Sequence, residues 1–384
     1  MGRDKMLKSI TAGIGISALV ATAVLAQDTA PRGAAAGAVA PGTVAAGVRV
    51  DPNTPTEAQW AKPEVQAYVA KAKELAGKDP DLQYDASFNC TAAGTHAAGG
   101  GGARMTVGDG AYLAGSPIPF AEMPEKTTML PAQRFFDNFW RFGGTGVGAW
   151  LITTPKGYIL FDTLDNAKEA KENIVDEMVK NHLDPKMIKV IIFGHWHGDH
   201  TGGAHYMQQL TGAPVLMGRD DWPLYYKMMS STTGNFRMDD KTPMKQGGDI
   251  DDGQKITVGD TTITLISMPG HTPGSTGMIV PIKYQGKKHN ILVVTASAGG
   301  NNVNSRETFI GGFEHIWDWG IREKVESVVN VHVNYNNNTL SRQNYVAAHY
   351  PPARNPMLYG VEKTRKYIDI TRACSQARLA ALGW

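Results

Sequence analysis

Four side chains that bind divalent metals stand within six consecutive residues of this sequence. They are His195, His197, Asp199 and His200. Imidazole nitrogens and carboxylate oxygens are good ligands for Zn²⁺. In an extended loop, residues two apart project to the same side, so the first three side chains can converge on one point. A His-rich surface loop is the alternative, but the His-x-His-x-Asp-His pattern is far more specific than a histidine pair.

The residues on either side of this cluster indicate how it is positioned. Residues 187–193 are apolar and largely β-branched, which predicts a buried strand. After the cluster, Thr201, Gly202 and Gly203 let the backbone turn tightly. The cluster therefore follows the carboxyl end of a central strand, where open α/β sheets place their binding sites.

Two further histidines are predicted to follow strands. His271 lies in a turn rich in Pro and Gly, residues 268–275, and His332 ends the apolar run 329–331. A site for two metal ions needs about six ligands, and these two histidines would complete that number. His205 is the nearest competitor, but we predict that it lies on the helix after the loop.

The run from His195 to His200 resembles the signature of the metallo-β-lactamase superfamily of dinuclear metallohydrolases. The resemblance extends from roughly Phe135 to the C-terminus. It implies an α/β fold, the four-layer αββα sandwich. The order of predicted elements agrees, because two strand-rich halves each resemble a sheet with helices outside.

The resemblance also implies a role for each candidate ligand. His195, His197 and His271 would hold the first metal, and Asp199, His200 and His332 the second. Two Zn²⁺ ions per chain suit these ligands, with manganese or iron as alternatives. Asp162 matches a family position whose carboxylate braces the metal loop, and an ordinary turn cap is its alternative. Trp150 and Trp196 could line a substrate cleft, but we favour core packing for both.

One expected residue is missing. Many hydrolases of the superfamily bridge the two metals with an Asp on a late strand, but no Asp occurs between Pro281 and Gly312. The counterpart is Ala296 or Ser297, which leaves hydroxide as the only bridge. A Cys ligand is missing too, so the pattern is most similar to the third subclass of class B β-lactamases. The Asn-rich run 334–339 after His332 departs from that pattern.

We expect a hydrolase in which a metal-bridging hydroxide opens a cyclic amide, a β-lactam, with Asp199 as the proton shuttle. The same site acting on a lactone or another ester or amide is the alternative. An iron-dependent redox enzyme of the same fold is another alternative, but diiron reductases of this fold carry Glu where this chain has His197. A metal-binding envelope protein without catalysis is a further alternative.

The N-terminus predicts export. Residues 1–8 are basic, residues 9–23 are uncharged, and Val24-Leu25-Ala26 resembles a signal-peptidase site. We expect cleavage after Ala26 and a periplasmic or secreted protein, with a retained membrane anchor as the alternative. Cleavage would bring the formal net charge of +2 close to zero. A neutral mature chain gives no electrostatic reason to expect nucleic acid or an anionic membrane as partner, and we expect a small-molecule substrate.

Composition divides the chain into four parts. Residues 1–26 are the signal peptide, 27–62 a flexible linker rich in Ala, Gly and Pro, 63–130 a mostly irregular extension with one helix (63–75), and 131–384 the catalytic domain. The two cysteines, Cys90 and Cys374, lie outside the metal motif. In an oxidising compartment they suggest one disulfide, with free thiols as the alternative.

Overall fold

Two β-sheets, one from each half of the catalytic region, form the centre of the structure. The computed structural model describes residues 55–91, 128–231, 240–295, 309–332, 339–352 and 354–383. The predicted signal peptide and residues 27–54 of the predicted linker lie outside these ranges. Among the described helices, none is long and apolar enough to cross a membrane.

The first sheet has seven strands in sequential order, antiparallel from the first to the fourth and parallel from the fourth to the seventh. Its strands are β1 (Met129–Phe136), β2 (Phe139–Gly144), β3 (Gly148–Thr154), β4 (Gly157–Phe161), β5 (Ile188–Ile192), β6 (Val215–Gly218) and β7 (Gly248–Ile250). Because β4, β5 and β6 are parallel neighbours, their carboxyl ends meet at one edge of the sheet.

The second sheet has five strands in the order β12-β11-β10-β9-β8. They are β8 (Lys255–Val258), β9 (Thr261–Ser267), β10 (Thr276–Tyr284), β11 (Lys287–Val294) and β12 (Val328–Asn330). Only the β11–β12 pair is parallel among these strands. The loop between β9 and β10 carries His271, and His332 follows β12.

The two sheets pack face to face through an apolar core. Phe139 and Trp150 stack with ring centroids 4.7 Å apart, and Leu265 and Val293 of the second sheet belong to the same cluster. Trp150 is completely buried there, so our preference for core packing at this position is confirmed. Residues on inward faces of both sheets are removed from water together, which is the main stabilising contribution in a sandwich.

Helices cover the outer face of the first sheet. They are α4 (Ala167–Glu169) and α5 (Asp176–Lys180), joined by a π-helical turn (Ala170–Val175), then α6 (Gly198–Thr201), α7 (Ala204–Thr211) and α8 (Trp222–Ser230). Ile174, Met207 and Tyr225 are completely buried in the cluster that these helices form with the sheet.

Helices also cover the outer face of the second sheet. They are α1 (Glu57–Trp60), α2 (Pro63–Ala76), α3 (Pro80–Asn89), α9 (His315–Arg322, after the π-helical Phe309–Glu314) and α11 (Val361–Leu382), while α10 (Thr339–His349) lies against β1. Val65, Trp317 and Ile368 are buried with Leu292 in one cluster. The layers are therefore helix, sheet, sheet, helix, and the predicted αββα fold is confirmed.

The N-terminal extension differs from our prediction. We expected one helix after residue 62, but the described part of the extension contains two, α2 and α3, and α1 lies within the predicted linker. Asp79 caps α3 by accepting hydrogen bonds from the backbone N–H groups of Asp81 (3.0 Å) and Leu82 (3.2 Å). The predicted linker also ends too late, because Trp60 is buried against the second-half helices. We predicted an irregular segment here because Gly and other small residues are frequent further along it, so the short helix α3, which Asp79 caps and Pro80 begins, was missed.

Two elements of the domain also differ. The sequence indicates one strand from Phe135 to Phe142, but the structure has two strands there, because Asp137 and Asn138 form a turn between β1 and β2. The side-chain oxygen of Asn138 accepts a hydrogen bond from Lys283 N–H (2.7 Å), which joins this turn to the second sheet. The short strand β7 and helix α10 were not predicted. Both depend on contacts with distant segments rather than on a local pattern.

Candidate metal centre

The predicted metal loop follows β5 directly. Gly194 is needed there, because a Cβ atom at this position would lie 2.4 Å from Cγ2 of the buried Thr295. Thr276 N–H of the second half donates to Gly194 O (2.7 Å). The loop then enters the short helix α6, whose Thr201 hydroxyl donates to the carbonyls of Trp196 (3.1 Å) and His197 (3.0 Å). The loop is thus held at both ends.

The three predicted ligands of the first metal converge. His197 Nδ1 lies 3.1 Å from His195 Nε2 and 3.0 Å from His271 Nε2. One nitrogen from each ring lies within 4.8 Å of the others. In a tetrahedral zinc site with metal–nitrogen bonds of about 2.0–2.1 Å, ligand nitrogens are roughly 3.3 Å apart. The three nitrogens therefore fit one zinc ion.

The three predicted ligands of the second metal also converge. His200 Nε2 lies 3.2 Å from His332 Nε2 and 3.4 Å from Asp199 Oδ2. His332 Nε2 lies 3.6 Å from the same carboxylate oxygen. These separations fit a second ion of the same kind. The isolated bridge between Val147 and His332 anchors that histidine to the first half of the chain.

Burial keeps most of these histidines neutral, which is the protonation state that binds metal. Desolvation, together with the neighbouring histidines, lowers the pKa of His195 well below its usual range. It lowers the pKa of His197 to about 3 and that of His332 to about 4. Burial also opposes the charge of Asp199, but His200, His332 and His197 outweigh it and lower the pKa of that carboxyl to about 2.

His200 is the exception because carboxylates surround it. Burial lowers its pKa, but Asp199 and Asp162 outweigh burial and raise it to about 9. Asp162 Oδ2 lies 2.8 Å from His200 Nδ1, and both side chains are completely buried. A divalent ion at His200 Nε2 would replace the proton there, while Asp162 would keep Nδ1–H oriented.

Asp162 lies where the resemblance implied, beside the metal loop. Its Oδ1 accepts a hydrogen bond from Gly194 N–H (2.9 Å), and its Oδ2 contacts His200. Its backbone has φ = 65°, in the left-handed region that Asp tolerates better than most residues. The next residue, Thr163, donates from both its N–H (2.8 Å) and its hydroxyl (2.9 Å) to His200 O. Residues 162 and 163 therefore orient His200 from two sides.

One buried carboxylate beside the site was not predicted. Asp221 is the last residue of the 3₁₀ turn Arg219–Asp221, which follows β6. It accepts hydrogen bonds from the backbone of Trp196 and from the loop that carries His271. Burial raises its pKa. In the sequence, the only indication of this role is that an acidic residue follows the strand that neighbours the metal-loop strand. The residues that Asp221 contacts are 25–53 positions away in the chain, so the sequence does not show these contacts.

The remaining candidates lie outside the two triads or outside the described residues. His205 lies on α7, as predicted, and its Nδ1 lies 2.7 Å from Asp240 Oδ2. Trp196 is partly buried against the first-half helices, with its ring centroid 4.5 Å from that of His197. Ala296, Ser297 and the Asn-rich residues 334–338 are not among the described residues. The buried residue before them, Thr295, donates its hydroxyl to Thr276 O (3.0 Å).

Known proteins resemble this chain in sequence and in fold. Residues 143–283 match the family model of the metallo-β-lactamase superfamily. The lactamase-like protein adaB of Aspergillus niger is 30% identical over 162 residues, 42% of this chain and 44% of that protein. The lactamase-like protein vrtG of Penicillium aethiopicum is 26% identical over 42% of this chain and 45% of its own length. The chain thus matches less than half the length of these relatives.

Solved structures match a larger share of the chain. The subclass B3 metallo-β-lactamase BJP-1 of Bradyrhizobium japonicum gives a TM-score of 0.51 at 23% identity, over 66% of this chain and 94% of that one. The metallo-β-lactamase FEZ-1 of Legionella gormanii gives 0.51 at 19% identity, over 64% and 94%. At these identities the likeness concerns the fold. The chain therefore carries a region, residues 143–283, that matches the metallo-β-lactamase superfamily, and its structural neighbours include subclass B3 metallo-β-lactamases.

Proposed function

We propose that this protein is an exported, dinuclear zinc hydrolase that opens a cyclic amide or ester bond. The observation that carries the proposal is the convergence of six ligand atoms into two neighbouring triads. The first triad offers three nitrogen ligands, and the second offers two nitrogens and a carboxylate oxygen. Zinc favours such nitrogen and carboxylate ligands. His195 and His200 are completely buried, so the site is shielded from water on the protein side.

Two zinc ions held by these triads would polarise a carbonyl group and make hydroxide available at neutral pH. The chain itself would manage the proton. The side chain of Asp199 is 38% exposed, whereas that of His200 is not exposed at all. One Asp199 oxygen faces the two second-site histidines. The other would accept a proton from water and pass it to the leaving group.

We favour a β-lactam over other substrates because the chain combines His/Asp ligands with a subclass B3-like fold. A lactone or another ester or amide is the second candidate, since a carbonyl beside such a site could be part of any of these groups. The curated relatives are named lactamase-like proteins, and that wording also leaves the substrate class open.

The test is a panel of purified substrates measured with added zinc and with chelator. Penicillin, a carbapenem and an acyl-homoserine lactone distinguish amide from lactone hydrolysis. We expect zinc-dependent turnover of at least one β-lactam, abolished by chelator and by His332→Ala. The matched control is His349→Ala, which removes an exposed histidine at the end of α10 and should leave the rate unchanged. Turnover of the lactone alone would select the second candidate.

Metal content tests the dinuclear part separately. We expect about two zinc ions per chain by elemental analysis, and about one in His332→Ala. A single metal that His332→Ala leaves unchanged would contradict the dinuclear site. Two bound metals without turnover of any substrate would instead indicate a metal-binding protein that is not catalytic.

We also propose that the chain is exported. The basic start, the uncharged residues 9–23 and the small residues before Gln27 support cleavage after Ala26. N-terminal sequencing of protein from the periplasm or medium should begin at Gln27. Recovery of the uncut chain in the membrane fraction would indicate a retained anchor instead.

A further inference from the structure

The buried carboxylate of Asp221 joins two loops that come from opposite halves of the domain. Its Oδ2 accepts hydrogen bonds from Trp196 N–H of the metal loop (3.0 Å) and from the Thr272 hydroxyl (2.6 Å). Its Oδ1 accepts from Gly274 N–H (2.8 Å). Asp221 is completely buried, so these contacts replace the water that would otherwise solvate a carboxylate.

These contacts flank the ligands of the first metal on both sides. Trp196 is the residue between His195 and His197, and Thr272 directly follows His271. A single carboxylate therefore sets the distance between the loop that supplies two imidazoles and the loop that supplies the third. As a result, His197 Nδ1 lies 3.1 Å from His195 Nε2 on its own loop and 3.0 Å from His271 Nε2 on the other loop.

The backbone around Asp221 is packed too closely to move independently of these loops. A Cβ atom on Gly274 would lie 2.8 Å from Cγ of Asp221, and a Cβ on Gly218 would lie 2.0 Å from Gly274 O. The Ser275 hydroxyl contacts Thr272 at its N–H (2.9 Å) and at its hydroxyl (2.8 Å), so the loop beyond His271 is also tied internally.

Asp221 and Asp162 occupy equivalent positions on either side of the metal loop. The parallel order β4-β5-β6 places Asp162 after one neighbour of β5 and Asp221 after the other. Asp162 orients His200, a ligand of the second triad. Both oxygens of Asp221 already accept hydrogen bonds from the protein, and none of the described metal-ligand groups includes it.

We propose that Asp221 is the positioning residue of the first metal site, and that it sets metal affinity by holding the His271 loop against the metal loop. This inference rests on the proposed metal-binding function. Without the carboxylate, the loops would have to be brought together when the metal binds, and part of the binding free energy would be lost. Loss of such an outer partner typically weakens metal affinity about 10–100-fold.

The informative variant is Asp221→Asn, which keeps the shape but replaces one oxygen by a donor. Whichever way the amide turns, it faces a backbone N–H of Trp196 or Gly274 that then has no acceptor. The matched control is Asp220→Asn, one residue earlier in the chain and exposed, which makes the same charge change outside the contact.

The measurement is the equilibrium affinity for Zn²⁺ alone, by competition with a chromophoric chelator, so that it does not depend on a substrate. Each variant is made in a His332→Ala background, which leaves the first site, and in a His271→Ala background, which leaves the second. We expect Asp221→Asn to weaken the first site about 10–100-fold while the second site stays close to its reference value. Asp220→Asn should change neither.

Thr272 provides a second test that preserves the buried carboxylate. Thr272→Val removes the hydroxyl with little change in shape, whereas Thr272→Ser keeps it. We expect Thr272→Val to weaken the first site and Thr272→Ser to restore it, even if Asp221→Asn does not fold.

Each outcome bears on the inference. Equal weakening of both sites would show a general structural role for Asp221 and would overturn the proposal. Unchanged first-site affinity in Asp221→Asn and Thr272→Val would also overturn it, while the proposed metal centre would stand. A wild-type protein that binds no zinc would overturn both this inference and the proposed function. Turnover of no substrate, with selective loss of first-site affinity, would leave the inference intact.

Discussion

At the residue scale, Asp199 differs from the other five candidate ligands because it alone carries negative charge and a second oxygen beside the ligating one. The pKa of this carboxyl is about 2, so it is ionised throughout the neutral range and can accept a proton without first losing one. The five histidines can hold a metal, but they cannot both ligate and accept a proton at the same nitrogen.

Asp199→Asn should therefore reduce the rate more than its effect on metal binding explains. The amide keeps the size of the side chain but loses its charge and most of its basicity. With zinc in excess and occupancy measured in the same sample, we expect the rate to fall about 10²–10⁴-fold, the usual range for a positioned proton-transfer group. Turnover close to wild type at full occupancy would mean that another group carries the proton.

Asp162→Asn should act on the second metal site instead. An amide can still accept from Gly194 N–H, and Asn tolerates the positive φ at this position. It no longer offers a charged acceptor to His200 Nδ1, so that ring loses its fixed orientation. We expect second-site zinc affinity to fall about 10–100-fold. Chelator competition in the His271→Ala background measures this, and an equal loss at the first site would argue for a general distortion.

At the element scale, sequence predicts a site well where its residues are close together in the chain. His195 to His200 lie on one loop after one apolar strand, so their type and spacing already indicate a metal site. His271 and His332 were predicted because each also ends a strand. Asp221 was missed because an acidic residue after a strand is common, and only the fold brings its partners to it.

The same reasoning explains which elements were predicted. In the sequence, residues 361–382 already indicate a closing helix, and α11 has the same bounds in the structure. The N-terminal helices α1 and α3 were missed because they depend on α11 for burial: Trp60 of α1 and Leu82 of α3 share a cluster with Ile368 and Ala377. Short amphipathic segments of this kind are stable through tertiary packing rather than through propensity.

The predicted disulfide is confirmed and joins these elements. Cys90, just after α3, is bonded to Cys374 of α11, and both are almost completely buried. Lys363 adds ion pairs to Asp79 (2.9 Å) and Asp81 (2.6 Å) at the other end of the contact. The extension is therefore attached to α11 at two places, both on the outer face of the second sheet.

Replacing both cysteines by Ala should destabilise the fold without affecting the metal centre. The bond closes a loop across a sequence separation of 284 residues, and loss of a native disulfide typically costs about 2–5 kcal/mol. We expect a lower denaturant midpoint for the double variant, with zinc affinity unchanged at both sites. Loss of zinc affinity in a variant that is still folded would show that the extension supports the metal centre after all.

At the scale of the whole molecule, the candidate metal centre lies where the two halves meet. Ligands come from loops after β5, β9 and β12, and the carboxylates that orient them follow β4 and β6. Because the fold brings five buried or partly buried histidines together with their carboxylate partners, the metal-free protein must fold around groups whose pKa values differ from their unfolded values. Its stability therefore depends on pH in a direction that these shifts determine.

The metal-free protein should be most stable near about pH 6.5, the ordinary pKa of histidine. Below that pH the unfolded chain takes up protons at His197 and His332, whereas the folded chain, with pKa values of about 3 and 4, does not, so stability falls with pH. Above it the folded chain keeps the proton on His200, with a pKa of about 9, that the unfolded chain has lost, so stability falls again as pH rises. Urea midpoints of chelator-treated protein at about pH 4.5, 6.5 and 8.5 would measure both slopes.

Asp162→Asn should flatten the alkaline slope of this pH profile, because Asp162 helps to hold the proton on His200. Added zinc should raise the urea midpoint most at about pH 8.5, because less of the His200 proton must be displaced there. A midpoint that rises from pH 6.5 to 8.5 in the presence of chelator would contradict a protonated His200 at the centre of the site.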